Sequence, residues 1–112
     1  MQLTSNIIND THVVTADASR IDAAVAIQFK DAMRAVTEGG PSRIILDLGE
    51  VDFVDSSGLG AIVAAMKLLG ARRKLDLAAL RPDVDKVFRL TRMDRVFDIY
   101  QTVEQATARA TG

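Results

Sequence analysis

The chain contains no cysteine, only two prolines and a single histidine in 112 residues. Without cysteine there can be neither disulfides nor thiolate metal sites. A lone histidine, His12, leaves serine hydrolysis short of a base, because His12 falls in an expected hairpin turn and no Gly-x-Ser-x-Gly elbow is present. The phosphate-cradling patterns Gly-x-x-x-x-Gly-Lys-Ser/Thr and Gly-x-Gly-x-x-Gly are missing too, so the chain is expected to hold no cofactor of its own. Charge of one sign is also lacking. Fourteen Lys and Arg stand against fifteen Asp and Glu, a formal net charge of −1, which gives no bulk attraction to nucleic acid or to anionic lipid. No apolar run approaches 18 residues and no signal-type segment is present, so a cytoplasmic protein is expected.

What is there is apolar residues in quantity. At 48% hydrophobic composition the chain can bury a core, and its length leaves room for one domain, 1–112, with no linker, repeat or low-complexity segment. Residues 2–9 and 12–16 read as strands around an Asp10-Thr11 turn. Asp22 is positioned to cap a helix reaching Glu38, with Val25, Phe29, Ala32, Met33 and Val36 at three- and four-residue steps, and Gly39-Gly40-Pro41 ends it. Residues 43–48 are nearly all large and apolar, as in a central strand covered on both faces. Further strands are expected at 75–79 and 97–100. Pro82 suits the start of a helix to about Leu90, and Thr102 with Gln105 forms a capping box for a last helix. Alternation of strands and helices predicts an α/β fold, with a mixed sheet of four to five strands packed with about four helices.

The segment that carries chemistry is Asp55-Ser56-Ser57-Gly58-Leu59-Gly60, between a buried-type strand and an almost wholly apolar helix. First-turn N–H groups of a helix lack intrahelical partners and the helix dipole is positive there. Ser56 or Ser57 can therefore cap the helix or carry a phosphate that the helix tolerates. Gly58 and Gly60 have two readings, as close-packing positions or as sites where a missing Cβ admits a partner. The helix beyond has no polar face, since Lys67 is its only charge. Either the fold covers it all round, or its Ala61, Ala64 and Ala65 side is half of a protein contact. Asp47, Glu50, Asp52 and Asp55 match no metal-binding loop and read as solvated acids. Arg72-Arg73-Lys74 lacks aromatic interleaving and reads as a solvated helix end.

The run ILDLGEVDFVDSSGLGAI, with LRPDVDKVFRLTRMDRVFDIY after it, is similar to the STAS domain, and specifically to the small stand-alone anti-sigma factor antagonists of bacteria. The likeness spans nearly the whole chain. It implies a non-enzymatic STAS-like domain in which the serine directly after the aspartate, here Ser56, is phosphorylated, with Ser57 as second choice. The implied partners are an anti-sigma factor that is itself a serine kinase, with a histidine-kinase-like ATPase fold, and a PP2C-type phosphatase. Binding is expected at Asp22, Asp55, Ser56, Ser57, Gly58, Leu59 and the Ala61, Ala64 and Ala65 side of the helix. Where many relatives read Gly-Glu-Leu-Asp, this chain reads Ala18-Ser19-Arg20-Ile21-Asp22, so Asp22 matches the last position and the glycine is lost. Two other outputs stay open: partner switching on a non-sigma process such as secretion, and an accessory STAS subunit of a membrane lipid or anion transporter.

Overall fold

The computed structural model describes residues 1–108. Seven uncharged residues form strand β1 (Gln2–Ile8), which turns directly into β2 (Thr11–Asp17). The two pair antiparallel from Gln2 opposite Asp17 to Ile8 opposite Thr11. Asn9 and Asp10 alone make the turn, with φ of 51° and 61°. That is the left-handed pair of a type I′ hairpin, which Asn and Asp tolerate best after glycine. The expected Asp10-Thr11 turn thus moves back by one residue, and His12, expected where the second strand meets the turn and as an exposed residue, becomes the second residue of β2 with 7% of its surface exposed.

From β2 the chain winds in one direction. Helix α1 (Ala26–Thr37) leads to β4 (Arg43–Asp47), α2 (Ser56–Leu69) to β6 (Lys74–Ala78), and α3 (Pro82–Leu90) to β7 (Ile99–Tyr100). The sheet order is β1-β2-β4-β6-β7, with every pair after the first parallel. Strand β4 is central as expected. Its Ile44 and Leu46 join the large core with Phe29, Met33, Ile62, Phe88 and Phe97 under the three helices. Ile45 points the other way, into a smaller cluster with Val13, Ala78 and Ala106 beneath the short helix α4 (Val103–Thr107). Thr102 caps α4 by accepting the Gln105 N–H at 3.0 Å. Phe97 belongs to the core and not to the last strand, which follows a single 3-10 turn at Met93–Arg95.

Two features lay outside the expected plan. Residues Arg20–Ile21 (β3) and Phe53–Val54 (β5) form a separate two-stranded parallel pair, too short to show any period. And α1 starts at Ala26 with no side-chain cap. Asp22 is spent earlier, accepting the Ala24 N–H at 3.1 Å and pairing with Arg20 at 3.2 Å, a local turn that competes with capping.

Candidate functional site

The site is built at the carboxyl ends of the parallel strands. Asp47 closes β4 by accepting the Gly49 N–H at 2.9 Å and the Thr15 hydroxyl at 3.3 Å. The loop then folds back, and Ser19 C=O accepts the N–H groups of Asp52 and Phe53. Pairing of Ile21 with Val54 sets the next two residues, Asp22 and Asp55, side by side at the mouth of α2. Arg20 lies over the half-exposed Phe53 ring, 4.2 Å from its centroid, and covers the outer side of this shelf.

Asp55, not either serine, caps α2. One carboxylate oxygen accepts the Gly58 N–H at 2.8 Å; the other accepts the Ala23 N–H at 3.3 Å, tying the turn before α1 to the start of α2. The expectation that a serine might cap is corrected by this geometry. Ser56 and Ser57 take the first two helical positions, both exposed, with their hydroxyls released from capping duty. A hydroxyl there stands next to the positive end of a 14-residue helix.

Gly58 and Gly60 part company. Gly58 is buried, and a Cβ built on it would stand 1.9 Å from the Ile21 carbonyl oxygen, so its role is to let α2 pack against β3. Gly60 is exposed with nothing within 4 Å of such a Cβ, and only there is a bare helix surface offered to a partner. The alanine side divides likewise. Ala61 and Ala65 are 3% and 2% exposed and pack into the main core, which corrects their placement on a contact surface. Ala64 is half-buried in a groove between α1 and α2 with Ile27, Lys30, Asp31, Arg34, Lys67 and Leu68. Leu59 is half-buried against the core. The structure therefore gathers Asp22, Asp55, Ser56 and Ser57 in one place, and sets Ala64 eight residues, about 12 Å, along the helix.

A family profile described as the STAS domain matches residues 3–106. The anti-sigma-B factor antagonist of Listeria monocytogenes is 36% identical over 91 residues, covering 79% of this chain and 78% of that one. The chain is a STAS domain. Its shape agrees. An anti-sigma factor antagonist from Mycobacterium paratuberculosis superposes with a TM-score of 0.82 at 27% identity, over 94% of this chain and 89% of the other. The unphosphorylated and phosphorylated forms of SpoIIAA, the latter described as a Bacillus cell fate determinant, share the fold with TM-scores of 0.73 and 0.65. Their identities are 23% and 22%, with 94% of this chain covered in both cases and 92% and 96% of theirs.

Within this STAS domain, sequence reasoning missed the Arg20–Phe53 stack and the tie from Asp55 to Ala23. Both join residues 32 or more positions apart through a pairing of two-residue strands, for which the sequence carries no periodic signal. Two of the other loop acids have definite tasks: Asp52 pairs with Arg81 at 3.1 Å, and Asp47 holds its own turn. Arg73, read as a solvated helix end, donates to the carbonyls of Gly39 and Pro41 and fastens the loop before β4. No helix among the described residues is long and apolar enough to cross a membrane.

Proposed function

We propose that this STAS domain is an anti-sigma factor antagonist that works as a phosphorylation-controlled binding switch. Unphosphorylated, it binds a serine-kinase anti-sigma factor and so releases a sigma factor; phosphate on Ser56 ends the binding, and a PP2C-type phosphatase restores it. The observation that carries this reading is the division of labour at α2: Asp55 supplies the cap, leaving an exposed Ser56 hydroxyl at the helix start. The names of its relatives, anti-sigma factor antagonists, supply the partner class. Neither the kinase's ATP nor its catalytic groups need come from this chain. The surface offered is the Asp22, Asp55, Ser56, Ser57 corner, Gly60 and the outer line of α2 through Ala64.

Phosphate brings about −1.5 to −2 charge and strongly hydrated oxygens into a contact that must lose water to form, beside the Asp55 carboxylate. Binding is lost because the dianion cannot be desolvated without a compensating cation. The test is incubation with the cognate serine kinase and ATP, followed by intact-mass measurement and site mapping. One phosphate is expected, absent in Ser56→Ala and retained in Ser57→Ala. A phosphate mapped to Ser57, or persisting in Ser56→Ala, overturns the residue assignment.

A further inference from the structure

Natural sheets protect their edge strands with charge, proline, bulges or a covering segment, because an open edge of unpaired N–H and C=O groups templates another strand. Strand β1 has none of the first three. Its residues, Gln2-Leu3-Thr4-Ser5-Asn6-Ile7-Ile8, carry no charge and no proline, and they pair with β2 in unbroken register. Five of the seven side chains are exposed, with Ile7 at 55%.

The register says which backbone groups are open. Ile8 and Thr11 close a two-residue type I′ loop, and the pair that closes such a loop is a hydrogen-bonded pair. By alternation Asn6–Val13, Thr4–Thr15 and Gln2–Asp17 are the other hydrogen-bonded pairs. The N–H and C=O groups of Leu3, Ser5 and Ile7 therefore point away from β2, toward an edge that no other strand among the described residues occupies. Those three are spaced symmetrically about Ser5. A second β1 laid antiparallel would set Leu3 opposite Ile7 of the other copy, Ser5 opposite Ser5, and Ile7 opposite Leu3, with every open group paired and no like charges opposed.

The neighbouring helix suits the same two-fold. The Met1 amino group donates to the Gln28 side chain, which places the Gln28, Ala32, Ala35 and Val36 flank of α1 beside β1. Apart from that ammonium the flank carries no charge, and the charged residues Lys30, Asp31 and Arg34 of α1 line the groove toward α2. Two copies can thus bring their α1 helices together over the joined strands without opposing charges.

We propose that β1 is a self-association edge, through which two copies of this chain join antiparallel about Ser5 into a continuous ten-stranded sheet. The edge shares no residue with the Ser56 corner, so each dimer presents two independent switch sites.

The test is the mass of the full chain in solution by light scattering from about 5 to 500 µM, with amide hydrogen exchange read residue by residue. A dimer is expected, in which the Leu3, Ser5 and Ile7 amides exchange as slowly as those of Thr4 and Asn6. Ser5→Pro removes an outward donor only, which an edge strand tolerates, and Ile7→Lys sets a charge against the apolar Leu3 of the other copy while its side chain stays exposed in the monomer. Both variants should be folded monomers, with their Leu3 amides exchanging rapidly. A wild-type chain that stays monomeric at 500 µM overturns the proposal. So does a dimer that survives both substitutions, which places the contact on another face, and so does an edge filled by a different polypeptide.

Discussion

One methyl group distinguishes the two glycines at the start of α2. At Gly58 it would meet the Ile21 carbonyl at 1.9 Å, a backbone atom that cannot move aside without shifting β3. Gly58→Ala is expected to cost about 3 kcal/mol in urea unfolding, at the upper end of overpacking penalties. Gly60→Ala meets nothing and gains helix propensity, so it should stabilise by about 0.5–1 kcal/mol while a bulkier residue there weakens partner binding. His12 gives a pH prediction. Burial, and after it the nearby Arg73 charge, lower its pKa below the ordinary 6.5, so the folded state prefers the neutral ring. Below pH 6.5 the unfolded chain takes up the proton first; stability is full above 6.5 and falls as pH drops through it toward the folded pKa. Urea unfolding from about pH 7.5 to 5 should show this slope, and His12→Gln should flatten it. A slope unchanged by the substitution would assign the effect to other groups. The burial of His12 was illegible in the sequence because moving the turn by one residue carries it from the first position of the strand, beside the turn, to the second.

At the scale of elements, the sequence announced those that carry a period and hid those that do not. Strand β4, α2 and α3 were legible from branched apolar residues, an apolar run and an N1 proline. The β3–β5 pair was not, since two residues cannot alternate. Asp76 hid differently: a fully buried carboxylate in an apolar strand, it needs Arg43, 33 residues away, whose guanidinium holds it at 3.0 Å. The inward side of α2 was likewise undecidable from an all-apolar pattern, because only the position of α1 fixes which alanines are covered. That decision is testable. Ala65→Glu buries an unpaired carboxylate and should cost more than about 4 kcal/mol, seen as a collapsed melting transition. Ala64→Glu enters the groove lined by Lys30, Arg34 and Lys67 together with Asp31, where stability should change by less than about 1 kcal/mol while affinity for the partner falls. Unfolding of the Ala64 variant would remove this face of α2 from the proposed contact.

For the molecule as a whole, the question is whether a phosphate on Ser56 acts on the surface or on the fold. All three long helices cover one face of a five-stranded sheet, and Ser56 stands exposed at its carboxyl end, outside both apolar clusters. Nothing buried must therefore open to admit the phosphate. The amino end of α2 favours an anion there by about 0.3–1 kcal/mol, and the Asp55 carboxylate, already engaged by the Gly58 and Ala23 N–H groups, opposes it by a similar amount. Net stability should change by less than about 1 kcal/mol. Binding should respond far more, since removing a desolvated polar contact and inserting a dianion costs about 2–5 kcal/mol, a thirtyfold or greater loss of affinity. Thermal melts and partner titrations on unmodified, phosphorylated and Ser56→Asp protein separate the two effects. The expected result is superimposable melts with a large loss of affinity in the phosphorylated form, and a smaller loss for the aspartate, which carries half the charge and lacks the tetrahedral oxygens. If the phosphorylated protein instead melts many degrees lower in step with its lost binding, the switch works by loosening the α2 start from β3, and the surface mechanism is wrong.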